Sequence, residues 1–573
     1  YVKADRWFKN DNITSIGPRL GVAWSPDSKT SVRAGYSWLF DTISTFQVTA
    51  IAGKVPGFLL NCQTNINSSG AATTTAGCAL PSGLGNRISQ GFPTSVPNPT
   101  ATPSVALSSP AQPASIAPAV GAFDPNLKNP SIHEWSLTIQ RELPLHFLTE
   151  IGYVGKRGTH LYRAYDLNQV FLGQPGLLDA FNVARTNVLN GCNADGSATK
   201  TCAGGPTPTL LLQLTNSTLG NTKSNLNGRS SDFKLNNIGA FANFADGLTG
   251  ADAITGRGFA ANYFRPDAQF GQIFFQDSGG DSYYHGQFVT ARRHFEQGLD
   301  FTFSYTLSKS IDDMSVDPTG AATGGGLSTT NSRTPTDIHN FRLDRALSDF
   351  NNRHVILTNL LYELPFGAKK KFAASAPGWL NQIIGGWSFT GIFTYQSGEP
   401  YNLTSGSLTA NGAHVSTVQI RGPVDLGHIQ FVPGIKGPVE YNVGDLITNP
   451  ADPNYNCRNV IGTQTFFCIP PPGQNGSGRN NVQGPDFWDL DSGLLKDFSL
   501  TERFKLQFRA EFFNLLNHPN WENPRNASSG SPNLQSGSFG QTCCNTASLP
   551  SSATVIAIGE PNRVIQLGMK LNF

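Results

Sequence analysis

The chain reads as an all-β, antiparallel transmembrane β-barrel, and three observations carry that reading. The last residues, Arg563 to Phe573, alternate almost without exception: Ile565, Leu567, Met569, Leu571 and Phe573 fall on one side, and Gln566, Gly568, Lys570 and Asn572 on the other. Side chains of a strand point to opposite faces with period two, so this segment has one apolar wall and one polar wall. About ten residues is the length a tilted strand needs to cross the hydrocarbon layer. Similar segments recur in couples joined by short turns, and long polar stretches separate the couples. Composition agrees, since only 14% of residues are charged against about 25% in a typical soluble protein.

Five couples precede the terminal strand. The first is Arg19–Trp24 and Thr30–Phe40 around Ser25-Pro26-Asp27-Ser28, with Leu20, Val22 and Trp24 sharing a face, as do Val32, Ala34, Tyr36, Trp38 and Phe40. The second is Ile132–Arg141 and Phe147–Gly155 around Leu143-Pro144, where Trp135, Leu137 and Ile139 oppose Glu134, Ser136, Thr138 and Gln140. The third, Tyr283–Phe295 and Leu299–Ser308, turns at Glu296-Gln297-Gly298. The fourth, Arg353–Leu364 and Trp387–Gln396, has a connection carrying Lys369, Lys370 and Lys371, for which solvation is the expected role. The fifth, Trp488–Phe498 and Phe504–Phe513, turns at Ser499 to Arg503. That makes about eleven strands.

The stretches between couples (roughly 41–130, 160–280, 309–350, 398–485 and 517–560) are rich in Gly, Ser, Thr, Asn and Pro and read as structureless. Such lengths count against a compact soluble domain. They match a barrel with short periplasmic turns and long extracellular loops. A soluble antiparallel sandwich also alternates. Against it stand Trp24, Trp38, Tyr153 and Trp387 near strand ends, as in an interfacial girdle. The opposite faces are also charged, through Arg33, Glu134, Asp491, Asp497, Lys505, Arg509 and Glu511, as a wet lumen requires. If the fifth hairpin turns symmetrically at Thr501, Asp497 faces Lys505 and Arg509 lies diagonal to Asp491. Such pairs contribute a few tenths to about 1 kcal/mol.

Eight cysteines form four local pairs: Cys62 with Cys78, Cys192 with Cys202, Cys457 with Cys468, and Cys543 with Cys544. All lie in the long loops, where even number and local spacing indicate loop-stapling disulfides in an oxidising compartment. The adjacent Cys543 and Cys544 are the exception, because a bridge between neighbours is strained. Zinc spacing is absent. Asp312, Asp313 and Asp317 offer clustered oxygens of the kind calcium favours, but their order does not match an EF-hand loop, and solvated carboxylates are the expected reading. There is no catalytic triad, P-loop or dinucleotide motif, so neither enzyme chemistry nor a cofactor is expected. A net charge of +2 with no basic run gives no case for nucleic acid. No run of about 18 apolar residues predicts a membrane helix.

Longer motifs are more specific. They are Ser308-Lys309-Ser310-Ile311-Asp312-Asp313; Glu363-Leu364-Pro365-Phe366-Gly367 before Pro377-Gly378-Trp379-Leu380 and Gly385-Gly386-Trp387; Thr501 through Asn514 leading to Asn517-His518-Pro519-Asn520; and Pro561-Asn562-Arg563 before the terminal strand. Together they resemble the barrel of TonB-dependent outer-membrane receptors, in the Oar-like group with carboxypeptidase-regulatory-like N-terminal domains. The resemblance implies a 22-stranded barrel, of which residues 1–573 are one partial domain, the C-terminal half. On that reading the plug, the TonB box and the N-terminal domains lie upstream. Two sheet edges are then left open, near Arg19 and near the terminal strand. The implied function is an active transporter for a siderophore, oligosaccharide or peptide, partnered by outer-membrane lipid, the TonB complex and the barrel assembly machinery. That machinery would read the terminal aromatic Phe573. The C-terminus would be periplasmic. A non-transporting adhesion or secretion-related surface barrel is the other class that fits.

Overall fold

A computed structural model of the chain describes residues 15–43, 64–66, 72–74, 120–215, 223–249, 253–296, 298–315, 335–423, 427–435, 437–499, 501, 503–524, 532–542 and 562–572. Eleven strands follow one another in a single antiparallel path, each hydrogen-bonded to its sequence neighbours. They are β1 (Arg19–Asp27), β2 (Thr30–Phe40), β3 (Ser131–Leu143), β4 (Phe147–Asp166), β5 (Ile273–Glu296), β6 (Leu299–Asp312), β7 (His354–Glu363), β8 (Trp387–Gln396), β9 (Phe487–Ser499), β10 (Lys505–Phe513) and β11 (Val564–Asn572). β1 and β11 end the path and are not paired to each other, so the sheet is open. Among the described residues no helix is long and apolar enough to cross a membrane.

The register shows what period-two alternation achieves across a whole sheet. One row runs Trp24, Val32, Ile139, Ile151, Val289, Tyr305, Ile356, Tyr395, Trp488 across nine strands, each residue directly opposite the next. On the other face a row runs Ser31, Gln140, Glu150, Thr290, Ser304, Leu357, Thr394, Asp489. The apolar row is not a core, since Ile151 is 60% exposed and Ile139 47%. A continuous exposed apolar face of this extent is what contact with lipid requires and what a soluble protein avoids.

Short turns are set by local chemistry. Asp27 closes the first one, accepting the Lys29 N–H at 2.8 Å and the Thr30 hydroxyl at 3.1 Å. β1 therefore runs three residues past Trp24 through an irregular register, and the turn is Ser28-Lys29 rather than Ser25 to Ser28. Gly298, at φ +81, takes the left-handed conformation that the β5–β6 turn demands. Two glycines of β4 sit under aromatic rings of the flanking strands: Trp135 covers Gly155 and Phe288 covers Gly152. A Cβ at either position would displace the ring.

The fifth hairpin departs from the sequence expectation. Ser499 pairs with Lys505, so Asp497 faces Gln507, two residues beyond Lys505. The cause is Thr501, whose hydroxyl oxygen accepts the Phe504 N–H at 3.0 Å and fixes an off-centre turn. Gln507 Nε2 then donates to Asp497 at 2.9 Å, and Arg509 Nε donates to Gln507 at 2.7 Å. Asp491 accepts the Asn514 N–H at 2.9 Å instead of meeting Arg509.

The second departure is larger, because the long connections are folded. Residues between β4 and β5 form helices α1 (Leu177–Leu189), α2 (Thr209–Thr215), α3 (Lys223–Asn227), α4 (Ser230–Lys234) and α5 (Ile238–Asp246). Leu177, Phe181, Ala184 and Val188 line one side of α1, and Ile238, Phe241, Ala242 and Ala245 line one side of α5. These are helical spacings that bury an apolar stripe. The rings of Phe181, Phe233 and Phe241 meet with centroids 4.9–6.1 Å apart. Residues between β8 and β9 fold into short strands around a second core containing Leu403, Val418, Tyr441 and Phe467.

If the rings over β4 are packed as described, Gly155→Val and Gly152→Val each destabilise the sheet by about 1–3 kcal/mol through overpacking. Thermal unfolding in detergent, followed by circular dichroism, should show both transitions lowered relative to a Val substitution at exposed Ala34.

Candidate functional site

Register places Arg33, Glu134, Asp491, Asp497, Lys505, Arg509 and Glu511 all on the polar face. Arg33 lies opposite Thr138, and Glu134 opposite Lys156 with 3.5 Å between the charged atoms. Glu511 lies opposite Gln566.

Strand register also brings together groups that are far apart in sequence. Asp300 on β6, Asp491 on β9 and Glu511 on β10 line a groove of about 400 Å³ with Asn359, Thr390 and Ile392. Among the described residues none of the three carboxylates has a cationic partner. The sequence marked Asp491 and Glu511 separately and missed Asp300, because only the intervening strands β7 and β8 set the spacing.

At the long-loop end a second set of charges is fully engaged. Arg479 lies between strands in sequence but reaches Asp312, with which it makes a buried ion pair. It also lies 3.3 Å from Asp349, and donates through Nε to the Asp344 carbonyl and through a terminal nitrogen to Ser315 Oγ, both at 2.9 Å. Asp344 accepts the Thr336 N–H at 3.0 Å, and burial raises its carboxyl to about 6. Asp313 accepts the Asp281 N–H at 3.1 Å and lies 3.6 Å from Arg163. Asp312 and Asp313 are thus held by arginines rather than gathered as oxygen ligands, and Asp317 lies outside the described residues. Among the described residues no three metal-ligating side chains cluster.

The two folded segments grip each other. Asn236 donates to the Pro470 carbonyl at 3.0 Å, Tyr455 to the Lys234 carbonyl at 2.9 Å, and Asn243 to the Gly412 carbonyl at 2.7 Å. Each carries a disulfide, Cys192–Cys202 in the helical segment and Cys457–Cys468 in the other. Cys457 and Cys468 are direct partners across a two-strand ladder, so the bridge staples a pairing that already exists. Cys62, Cys78, Cys543, Cys544 and Phe573 lie outside the described residues. Within the second segment the Tyr401 hydroxyl donates to Glu440 at 3.0 Å. Burial pushes the Glu440 carboxyl up to about 8, so it is protonated at neutral pH.

A family model described as the outer membrane beta barrel domain matches residues 3–566. The chain belongs to that family. It therefore carries an outer-membrane β-barrel domain, here an open sheet whose exposed apolar face suits contact with lipid. Solved structures similar to it include the outer membrane transporter YddB from Escherichia coli, at 8% identity and TM-score 0.37, covering 97% of this chain and 40% of that one. The ferric enterobactin receptor of Pseudomonas aeruginosa is similar at 8% identity and TM-score 0.35, over 97% and 40%. The ferric citrate transporter FecA in its unliganded form follows at 9% and 0.32, over 97% and 38%. The chain thus spans about two fifths of the length of these structures. No curated protein matches it.

Two outcomes test this geometry. Arg479→Ala leaves buried Asp312 without its cation, a loss of about 3–5 kcal/mol. Limited proteolysis should then cut between residues 335 and 353 much faster than in the unaltered protein, while the strands stay protected. Glu440 has a folded value near 8 against an ordinary value of 4.5. The folded state therefore binds the extra proton, and stability falls as pH rises from about 5 through 8. Glu440→Gln should remove that fall, read as the pH dependence of thermal unfolding of the loop segment.

Proposed function

We propose that the barrel is the wall of a TonB-dependent active transporter for a bulky nutrient such as a siderophore, oligosaccharide or peptide. The polar face would line the lumen, and the folded segments would form the extracellular mouth, with the short turns periplasmic. The observation that carries this reading is the acidic groove of Asp300, Asp491 and Glu511 in the polar wall, whose carboxylates have no cationic partner among the described residues. Ionised groups left unpaired on a wall are tolerated where water or an incoming charged group meets them. A cationic group of the cargo, or of a domain filling the lumen, is the complement.

Several other features support the same role. The mouth is built to stay rigid, through two disulfides, a buried arginine network and two apolar cores. A preorganised mouth binds without a large ordering cost. The TonB complex would supply the work of opening from the periplasmic side, and the barrel assembly machinery would insert the chain, reading Phe573.

Uptake provides the test. Cells with and without the gene are compared for growth on iron chelates, oligosaccharides and peptides as limiting nutrients. One class should support growth only with the gene, and a protonophore should stop accumulation while leaving surface binding intact. Asp491→Asn with Glu511→Gln should lower accumulation about tenfold at unchanged surface binding, if charge pairing in the wall is on the path. Surface binding of ligands with no energised uptake of any of them would sink the transporter reading.

A further inference from the structure

The apolar face carries charged and imidazole side chains in two bands. On β3 these are His133 and Arg141, and on β5 His285 and Arg293, with the same spacing in both strands (141 − 133 = 8; 293 − 285 = 8). Eight residues at about 3.4 Å each span about 27 Å along a strand, and a tilt of roughly 40° reduces this to about 20 Å of height, close to the apolar band of an outer-membrane barrel. The bands therefore mark the two edges of the hydrocarbon.

The band at the long-loop end has a repeated construction. Tyr36 on β2 meets His133 on β3, with 2.8 Å from hydroxyl to Nδ1. Tyr153 on β4 meets His285 on β5 at 2.7 Å, and Tyr305 on β6 meets His354 on β7 at 2.9 Å. Each Tyr lies six residues into its strand (36 − 30, 153 − 147, 305 − 299), so the three pairs sit at one height. In each pair Nδ1 is engaged by the tyrosine, and Nε2 has no partner among the described residues.

At the middle pair this belt opens into a groove of about 530 Å³. Its floor is Tyr153, His285 and Leu307; Lys309 and Arg353 stand at its upper rim, and the segment around Asn480 overhangs it. Lys309 lies directly opposite His285 across β5 and β6, and both it and Arg353 are exposed. Among the described residues neither cation is paired with a carboxylate. Below the groove the surface continues as Val289, Tyr305 and Ile356, which are apolar and lipid-facing. Two free cations and an imidazole nitrogen thus stand above an apolar slope at the hydrocarbon edge.

We infer that this groove is a binding site for a phosphate-bearing membrane lipid of the leaflet on the long-loop side, with the phosphate held by Lys309, Arg353 and His285 Nε2. The acyl chains run down over Leu307 and Val289. Charge complementarity and continuity with the lipid-facing wall select this occupant over a soluble anion, for which the apolar floor would be wasted. Basic side chains at a membrane edge snorkel toward phosphates in this way.

Native mass spectrometry of the protein purified in detergent tests the inference, with phosphatidylglycerol and a diacylglycerol of the same chains as probes. The protein should retain phosphatidylglycerol about tenfold more than diacylglycerol. Lys309→Gln with Arg353→Gln should bring the two to parity, and His285→Phe should weaken the preference in the same direction. Lys309→Arg with Arg353→Lys, which keeps both charges, should preserve it and serves as the folded reference. A preference unchanged by the charge-removing pair overturns the site. Displacement of phosphatidylglycerol by an equal concentration of inorganic phosphate overturns the lipid as its occupant.

Discussion

Backbone hydrogen bonding in a medium without water is the constraint on which the rest of this structure depends. Inside hydrocarbon an unpaired N–H or C=O costs several kcal/mol, so the crossing segments must hand every such group to a neighbour. A continuous antiparallel ladder meets that demand, and its side-chain geometry follows at once. Each strand must then show one face to lipid and one away from it. The row from Trp24 to Trp488 is the visible result: nine strands contribute one residue each, and none is charged.

Beyond the hydrocarbon the constraint lifts, and the chain reverts to the rules of a water-soluble protein. β4 and β5 continue well past their Tyr153–His285 pair, and the bidentate Arg163–Asp277 contact (2.9 and 2.7 Å) ties their tips together. The residues that follow bury apolar cores that the membrane part lacks. Asp312 and Arg479 can be deeply buried as ions here because each satisfies the other and the surrounding carbonyls and hydroxyls take up the remaining donors. The same pair within the apolar face would have only lipid around it.

Strands and faces were legible in the sequence because alternation depends on nearest neighbours only. Most boundaries fell within a few residues, with β4, β5 and β6 longer than expected where their tips leave the membrane. Register was less legible. The fifth hairpin slipped by two residues because a single hydroxyl, that of Thr501, decides where the turn closes. The helices are hidden by a Ser-, Asn- and Gly-rich composition, although Leu177, Phe181, Ala184 and Val188 stand at helical spacing. Asp300 joins Asp491 and Glu511 only through two intervening registers, so no local pattern could have assembled that groove.

The two edges of the apolar face solve different problems with the same residue types. At the short-turn edge Lys496 points to the apolar side, yet it is almost wholly buried. Its ammonium donates to the Gly385 carbonyl at 2.5 Å and the Asp497 carbonyl at 3.0 Å, and lies 4.5 Å from the Phe498 ring centroid. That cation is spent on the protein, closing carbonyls that a turn leaves open. At the long-loop edge Lys309 and Arg353 pair with no carboxylate among the described residues and stand exposed beside an imidazole. A buried cation already provided with acceptors has no capacity for an outside ligand, whereas an exposed one above an apolar slope has it in full. The asymmetry in burial, more than the charge itself, is what separates a structural lysine from a recognition site.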